Sequence, residues 1–133
     1  MAEQQLPQFG SFAWNELATT DPEACKAFYG TLLGWEASEM PMPDGTYIVF
    51  SKNGTQMAGM MKIGPDWGEV PPHWLGYFAV EDVDASAAQV ESLGGGIIMP
   101  PTDVPGIGRF SVIRDPAGAV VAIMTFQPME EPQ

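Results

Sequence analysis

The feature that most constrains the fold is an internal repeat, in which matching signals recur at a spacing of 61 to 64 residues. Asp21 and Asp82, each well placed to cap a helix, are 61 residues apart, as are Gly34 and Gly95, which each suit a helix end. The turn glycines of the two halves are 64 residues apart. This spacing predicts two copies of a β-α-β-β-β module. One copy is too small to bury both faces of its sheet, so we expect the copies to pair.

The first copy opens with an apolar stretch, FGSFAWNELA, which is typical of a strand. A helix is predicted to follow Asp21, with Pro22 at its first position. Ala24, Phe28 and Leu32 recur every four residues, which predicts one apolar stripe along that helix. After Gly34, the segments TYIVFSK and TQMAGMMKI flank an Asn-Gly pair and predict a β-hairpin.

The second copy repeats this order after a connector rich in glycine and proline. WLGYFAV predicts a strand, Asp82 opens a helical pattern, and IIMP predicts a short strand. A last hairpin turns at Asp115-Pro116-Ala117-Gly118, where proline presets φ and glycine supplies a positive φ. The predicted boundaries are a tail (1–8), a first module (9–63), the connector (64–73), a second module (74–126) and a tail (127–133).

The chain is strongly acidic, with 17 acidic and 5 basic residues and a net charge of −12 among 133 residues. Both halves are equally acidic, so the charge is a coat that disfavours nucleic acid and anionic membranes as partners. No stretch of 18 apolar residues and no basic leader occurs, which predicts a soluble cytoplasmic protein. The charge could also attract a cationic ligand.

Several familiar catalytic motifs are incomplete in this chain. Pro105-Gly106-Ile107-Gly108 precedes a strand pattern, whereas a phosphate loop needs a helix start there. A nucleophilic unit needs a histidine beside its nucleophile, and the single histidine, His73, lies in the connector. The single cysteine, Cys25, excludes an internal disulfide and is predicted to be a small core residue.

Beyond the repeat, the residues resemble a known family. The motifs that carry the resemblance are Trp14-Asn15-Glu16-Leu17, Asp21-Pro22, Phe28-Tyr29, Gly34-Trp35, Pro105-Gly-Ile-Gly-Arg-Phe110 and Asp115-Pro-Ala-Gly-Ala119. Over about residues 10–126 the chain resembles the vicinal oxygen chelate superfamily of glyoxalase I, bleomycin-resistance proteins and extradiol dioxygenases. It is most similar to the branch of predicted enzymes related to lactoylglutathione lyase. The resemblance implies an α+β fold of two βαβββ modules forming a curved mixed sheet around a cleft, and a homodimer.

Metal enzymes of this family hold a divalent ion with four side chains from the first and last strands of each module. By the repeat, these positions fall on Trp14, Gly59, Leu75 and Ala122, none of which offers a donor that such an ion prefers. A slip of two residues keeps the same face and brings in Glu16 with Tyr77, but otherwise methionine or valine. We therefore predict no metal and no other cofactor, with a non-standard site at Glu16 and His73 left open.

The resemblance also implies which residues face the cleft. The expected lining is Trp14, Glu16, Met57, Gly59, Met61, Leu75, Tyr77, Val120, Ala122 and Met124, with Arg109 as a further ligand-binding candidate. Mostly apolar walls with a few polar groups are typical of small-molecule sites, although the same side chains could simply fill the interior. Glu16 and Tyr77 are the predicted catalytic residues, because a desolvated carboxylate suits a general base. Alternatively, Glu16 pairs with Arg109 and only stabilises the site.

These observations predict a metal-independent small-molecule-binding protein, with catalysis left open. One possibility is a lyase or isomerase-like enzyme that acts on an apolar or aromatic substrate. An alternative is a resistance protein that sequesters a cationic antibiotic. Another alternative is a glyoxalase-like enzyme that depends on a divalent metal.

Overall fold

The computed structural model describes residues 8–42, 45–65, 70–104 and 107–126. Its elements run in the order β-α-β-β-β, twice, which confirms the α+β class and the two predicted modules. Their bounds are β1 Phe12–Thr19, α1 Pro22–Leu33, β2 Glu36–Met42, β3 Gly45–Lys52, β4 Thr55–Lys62, β5 His73–Ala79, α2 Val83–Val90, β6 Gly96–Val104, β7 Gly108–Arg114 and β8 Val120–Phe126.

Both helices begin at the aspartates that the sequence indicates. The Asp21 side chain accepts a hydrogen bond from the backbone N–H of Ala24 at 3.1 Å, and Pro22 is the first residue of α1. The Asp82 carboxylate accepts from two backbone N–H groups of α2. Gly34 ends α1 in the left-handed conformation with φ 72°. These caps satisfy N–H groups that a helix start otherwise leaves without partners.

The predicted turns also form. Asn53 and Gly54 connect β3 to β4 with φ values of 53° and 80°, the positive pair that a two-residue hairpin turn requires. In the second module the N–H of Gly118 donates to the carbonyl of Asp115 at 2.9 Å. Each turn therefore fixes the register of the strands beside it.

The strands pair in the order β2-β3-β4-β1 in one half and β5-β8-β7-β6 in the other. β1 is parallel to β4 and β5 is parallel to β8, and the remaining pairs within each half are antiparallel. β2 and β6 lie at the ends of these orders and contain Pro41 and Pro100-Pro101. End strands tolerate proline because one edge needs no ladder hydrogen bond. No local pattern in the sequence had indicated β2.

The chain divides into two compact units, here called the first unit (residues 14–75) and the second unit (residues 1–13 with 76–133). The core of the first unit is Leu17, Ile48, Phe50, Ala58 and Met60. A core cluster of the second unit is Val83, Ala87 and Ile123. The module boundaries, connector and tails given above remain predictions, and residues 1–7 and 127–133 lie outside the described residues.

The two helices bury different amounts of surface. The spacing in α1 predicts an inward stripe of Ala24, Phe28 and Leu32, but these three residues are exposed. The residues of α1 that pack on the core are instead Cys25 and Tyr29, one position further along. The predicted stripe was wrong because apolar residues lie on both sides of the helix, so spacing alone does not say which side packs on the sheet. No helix among the described residues is long and apolar enough to span a membrane.

Candidate functional site

Strand alternation divides the sheet of the first unit into two faces. Leu17 belongs to the core cluster on which α1 packs, so its neighbour Glu16 points to the opposite face. Glu16 lies directly beside Gly59 of β4, and Gly59 lies directly beside Val49 of β3. Residues in step with these positions, such as Trp14, share the face away from α1. This face therefore combines side chains from three neighbouring strands.

A hydrogen-bonded group of three side chains lies on this face, here called the Trp14–Tyr47–Glu16 cluster. The indole Nε1 of Trp14 donates to the hydroxyl of Tyr47 at 3.0 Å. The Tyr47 hydroxyl also forms a hydrogen bond with the Glu16 side chain. Burial raises the pKa of Tyr47, and the charge and hydrogen bond of Glu16 raise it further, while the bond from Trp14 acts in the opposite direction. The phenol is therefore held neutral and donates to the carboxylate.

Gly59 makes room for this cluster. A Cβ added at Gly59 would collide with the hydroxyl and ring of Tyr47, and would come within 3.0 Å of Cε2. The sequence analysis named Gly59 but missed Tyr47. The alternation in TYIVFSK puts Tyr47 in step with Val49, but only the pairing of Val49 with Gly59 brings the phenol to this position.

Of the site residues predicted in the first unit, the structure brings Trp14, Glu16 and Gly59 together. Met61 is half-buried and lies beside Ala18 of β1. Met57 is exposed in β4, and Leu75 is half-buried in β5. The binding roles of Met57, Met61 and Leu75 remain predictions.

The site residues predicted in the second unit form a more apolar arrangement. Tyr77 of β5 pairs with Ala122 of β8, and both are buried. Met124 is also buried and lies opposite Phe110 of β7. The rings of Tyr77 and Phe110 are tilted, with centroids 6.1 Å apart. The catalytic role of Tyr77 and the binding roles of Ala122 and Met124 remain predictions.

Arg109 lies on the other face of β7 from its neighbour Phe110, on the side of α2. Its Nε donates to Asp84 of α2 at 3.0 Å, and its Nη1 donates to Asp103 at 2.9 Å. These two carboxylates raise the pKa of Arg109. The three residues line a cavity of about 560 Å³ on this side of the second unit. The charge partners of Arg109 are therefore Asp84 and Asp103, which corrects the alternative that paired it with Glu16.

The donor chemistry of the first unit does not fit a divalent ion. Trp14 offers only an N–H that already donates to Tyr47, and Gly59 has no side chain. The raised pKa of Tyr47 disfavours a phenolate ligand. Nδ1 of His73 forms a hydrogen bond with the carbonyl of Pro71 at 2.8 Å. Within residues 8–42, 45–65, 70–104 and 107–126, no group of three or more His, Cys, Asp or Glu side chains could hold a metal.

The repeated module and its site now allow the class of protein to be stated. Residues 9–123 match the model of the Glyoxalase/Bleomycin resistance protein/Dioxygenase superfamily. The chain belongs to this superfamily, which confirms the resemblance described in the sequence analysis.

Two similar relatives narrow this placement. The chain is 38% identical over 122 residues to "Putative glyoxylase CFP32" of Mycobacterium tuberculosis, covering 91% of this chain and 46% of that protein. It is 38% identical over 134 residues to "Anthracycline biosynthesis protein DnrV" of Streptomyces peucetius, covering 91% of this chain and 49% of that protein. The chain therefore spans about half the length of the curated relatives that it matches.

Solved structures share the fold at low sequence identity. Methylmalonyl-CoA epimerase from Mycobacterium tuberculosis matches with a TM-score of 0.64 and 17% identity, covering 93% of this chain and 94% of that one. The Mn(II)-bound glyoxalase from Novosphingobium aromaticivorans matches with a TM-score of 0.61 and 18% identity, covering 96% of this chain and 44% of that one. These matches show a common fold for this chain and both enzymes.

Proposed function

We propose that this chain binds a small apolar or aromatic molecule at the Trp14–Tyr47–Glu16 cluster, without a divalent metal. The observation that carries the proposal is the hydrogen-bonded series of indole, phenol and carboxylate on a partly exposed sheet face. An aromatic ring beside a few placed polar groups is typical of small-molecule sites. The missing metal donors at Trp14 and Gly59 support the metal-independent part of the proposal.

The cluster supports a lyase or isomerase-like proton transfer. Glu16 would take a proton from a carbon next to a carbonyl group, which leaves an enolate oxygen on the substrate. Protonation of Glu16 removes the negative charge that raises the pKa of Tyr47. The phenol then becomes the stronger hydrogen-bond donor towards the enolate oxygen, until the proton returns to carbon. Tyr77 remains a second predicted catalytic residue.

A second candidate function is sequestration of a cationic aromatic compound without any reaction. Two observations favour it: the net charge of −12, and the 38% identity to a protein named for anthracycline biosynthesis. Within the cluster, the carboxylate of Glu16 would attract a cation, while Trp14 offers an aromatic face. The two functions predict the same binding face and differ in whether the bound molecule changes.

Three probes of one shape and different charge test the binding face: benzamidine, benzamide and benzoate. We expect the cation and the neutral amide to shift the NMR signal of the Trp14 indole more than the anion does, because Glu16 repels benzoate. Glu16→Gln should remove this charge preference. Glu36→Gln is the matched control, since Glu36 is an exposed acid on β2 and the change in net charge is the same. Equal preferences in the two variants would overturn the assignment to Glu16.

The enzyme and the sequestering protein are separated by hydrogen exchange in a bound ketone. Acetophenone in D2O, followed by NMR, should exchange its methyl protons faster in the presence of a catalyst of this kind. The acceleration should survive a chelator and disappear in Glu16→Gln. A chelator-sensitive rate would instead favour the metal-dependent alternative. Binding of acetophenone without acceleration would favour sequestration.

The proposed partner is a second copy of the chain, and the proposed location is the cytoplasm. The exposed side of α1 supports the homodimer, because Phe28 and Leu32 are 57% and 63% exposed. Analytical ultracentrifugation should show a dimer that Phe28→Glu dissociates. A monomer at roughly 100 μM, a concentration at which even weak homodimers form, would contradict the proposal.

A further inference from the structure

We propose that Gly59 determines which polar group the candidate site presents to a ligand. The missing side chain at residue 59 lets the Tyr47 hydroxyl lie between Trp14 and Glu16, and any larger residue would displace it. Gly59 is then a positioning residue that acts through Tyr47. The inference deepens the proposed function and rests on it only for the consequence in ligand binding.

The first step of the argument is steric. β3 and β4 pair so that Val49 lies opposite Gly59, and Tyr47 is two residues from Val49 on the same face. A Cβ at Gly59 would overlap the hydroxyl oxygen and Cζ of Tyr47. These atoms belong to a rigid ring, so a small shift of one flexible end does not relieve the overlap. A side chain at residue 59 and the observed position of Tyr47 therefore exclude each other.

The second step excludes a backbone reason for the glycine. Gly59 lies inside β4 and is absent from the glycines with positive φ. An ordinary residue could adopt this backbone, and glycine inside a strand is normally unfavourable. What glycine supplies at this position is space, and Tyr47 occupies that space.

The third step concerns the ligand. With Tyr47 displaced, Trp14 loses the acceptor that lies 3.0 Å from its Nε1, and Glu16 loses the hydrogen bond from the phenol. The face would then present a more strongly attractive carboxylate instead of a phenol–carboxylate pair. Gly59→Ala should therefore increase the preference for benzamidine over benzamide.

A double-mutant cycle with Gly59→Ala and Tyr47→Ala tests the steric coupling. We expect Gly59→Ala to raise the unfolding equilibrium constant roughly tenfold or more when Tyr47 is present, as overpacking does. In the Tyr47→Ala background the rise should be less than roughly threefold. Should the single variant fail to fold, recovery of a folded protein in the double variant would support the coupling. Equal effects in both backgrounds would overturn it.

Hydrogen exchange of the Trp14 indole reports the position of the phenol directly. Its signal is assigned with Trp14→Phe, and its exchange rate should rise roughly tenfold or more in Gly59→Ala as the bond to Tyr47 is lost. An unchanged rate would overturn the inference even if the protein were destabilised. If none of the three probes binds the wild-type chain, the proposed function fails, while the cycle and the exchange rate still decide the role of Gly59.

Discussion

The two halves of the molecule repeat one strand order but differ in the residues at matching positions. Glu16 lies beside Gly59 in the β1–β4 pair, and Tyr77 lies beside Ala122 in the β5–β8 pair. Val49 and Val112 pair with Gly59 and Ala122 in turn, so Tyr47 in β3 matches Phe110 in β7. The repeat therefore fixes equivalent positions in space while leaving their chemistry free to differ.

That difference separates a polar half from an apolar half. In the first unit, the face away from α1 has a phenol bonded to an indole and a carboxylate. In the second unit, the matching aromatic residue, Phe110, has no hydroxyl and lies near the ring of Tyr77. The residue beside each ring differs as well, since Ala122 has the Cβ that Gly59 lacks. One backbone plan thus supports a hydrogen-bonded cluster or an aromatic pair, depending on a few side chains.

The helices differ in the same way. α2 buries Val83, Ala87 and Val90, whereas α1 has no fully buried residue. The first unit instead relies on the strand residues of its core, among which Phe50 is 0% exposed. Four variants, described from the largest expected effect to the smallest, test this comparison.

Phe50→Ala should have the largest effect, because the strand core is the main source of stability in the first unit. We expect a loss of about 3–5 kcal/mol in the free energy of unfolding, measured with urea. Phe28→Ala is the matched control, since this ring on α1 is exposed and should contribute far less. Similar losses in both variants would mean that α1 carries as much of the stability as the strands.

Val83→Ala compares the helices directly. Val83 in α2 is 2% exposed, so the loss of two methyl groups should reduce the free energy of unfolding by about 2 kcal/mol. Leu32→Ala in α1 removes more carbon from an exposed position and should change it by about 0.5 kcal/mol or less. The comparison fails if Leu32→Ala is the more destabilising of the two when measured by urea denaturation of the monomeric chain.

Tyr47→Phe tests the polar cluster. Removal of the hydroxyl takes a hydrogen-bond partner from Trp14 and from Glu16, so we expect a loss of about 1–2 kcal/mol. The first unit offers a matched control in Tyr29, whose hydroxyl accepts from Trp74 Nε1 at 3.2 Å in an exposed setting. Tyr29→Phe should cost about 0.5 kcal/mol or less. Thermal and urea unfolding of both variants would measure this difference.

The smallest effect is one of pH and is absent near neutrality. The folded protein raises the pKa of Tyr47 above its ordinary value of 10.0, so the folded state keeps a proton that the unfolded state releases. This contribution to stability is present below pH 10 and declines as the pH rises above it. Wild-type stability should therefore fall more steeply above pH 10 than that of Tyr47→Phe. Parallel curves for the two proteins would contradict a raised pKa.

Local chemistry made much of the fold predictable. Asp21 and Asp82 cap helices, Asn53-Gly54 forms a hairpin turn, and the repeat indicates the module order, because these features depend on residues close in sequence. β2 was missed because its sequence, EASEMPM, contains a proline and lacks a clear alternation. End strands of this kind are held mainly by pairing with their neighbour.

The candidate site was only partly predictable. Alternation and the repeat were enough to place Trp14, Glu16 and Gly59 on one face. Tyr47 was missed, and the side of α1 that packs was misjudged, because both depend on what lies across the sheet. Arg109 shows the same limit, since its partners are 25 and 6 residues away along the chain.

The sequence by itself determined the family, the repeated module, the helix caps and the hairpin turns. Each of these follows from the preferences of neighbouring residues, which act wherever the chain goes. Only the tertiary structure decided that a phenol occupies the space left by Gly59 and that Arg109 pairs with Asp84 and Asp103. The physical reason is register: a shift of one residue between two strands would move every side chain to the other face, and local preferences do not specify that alignment.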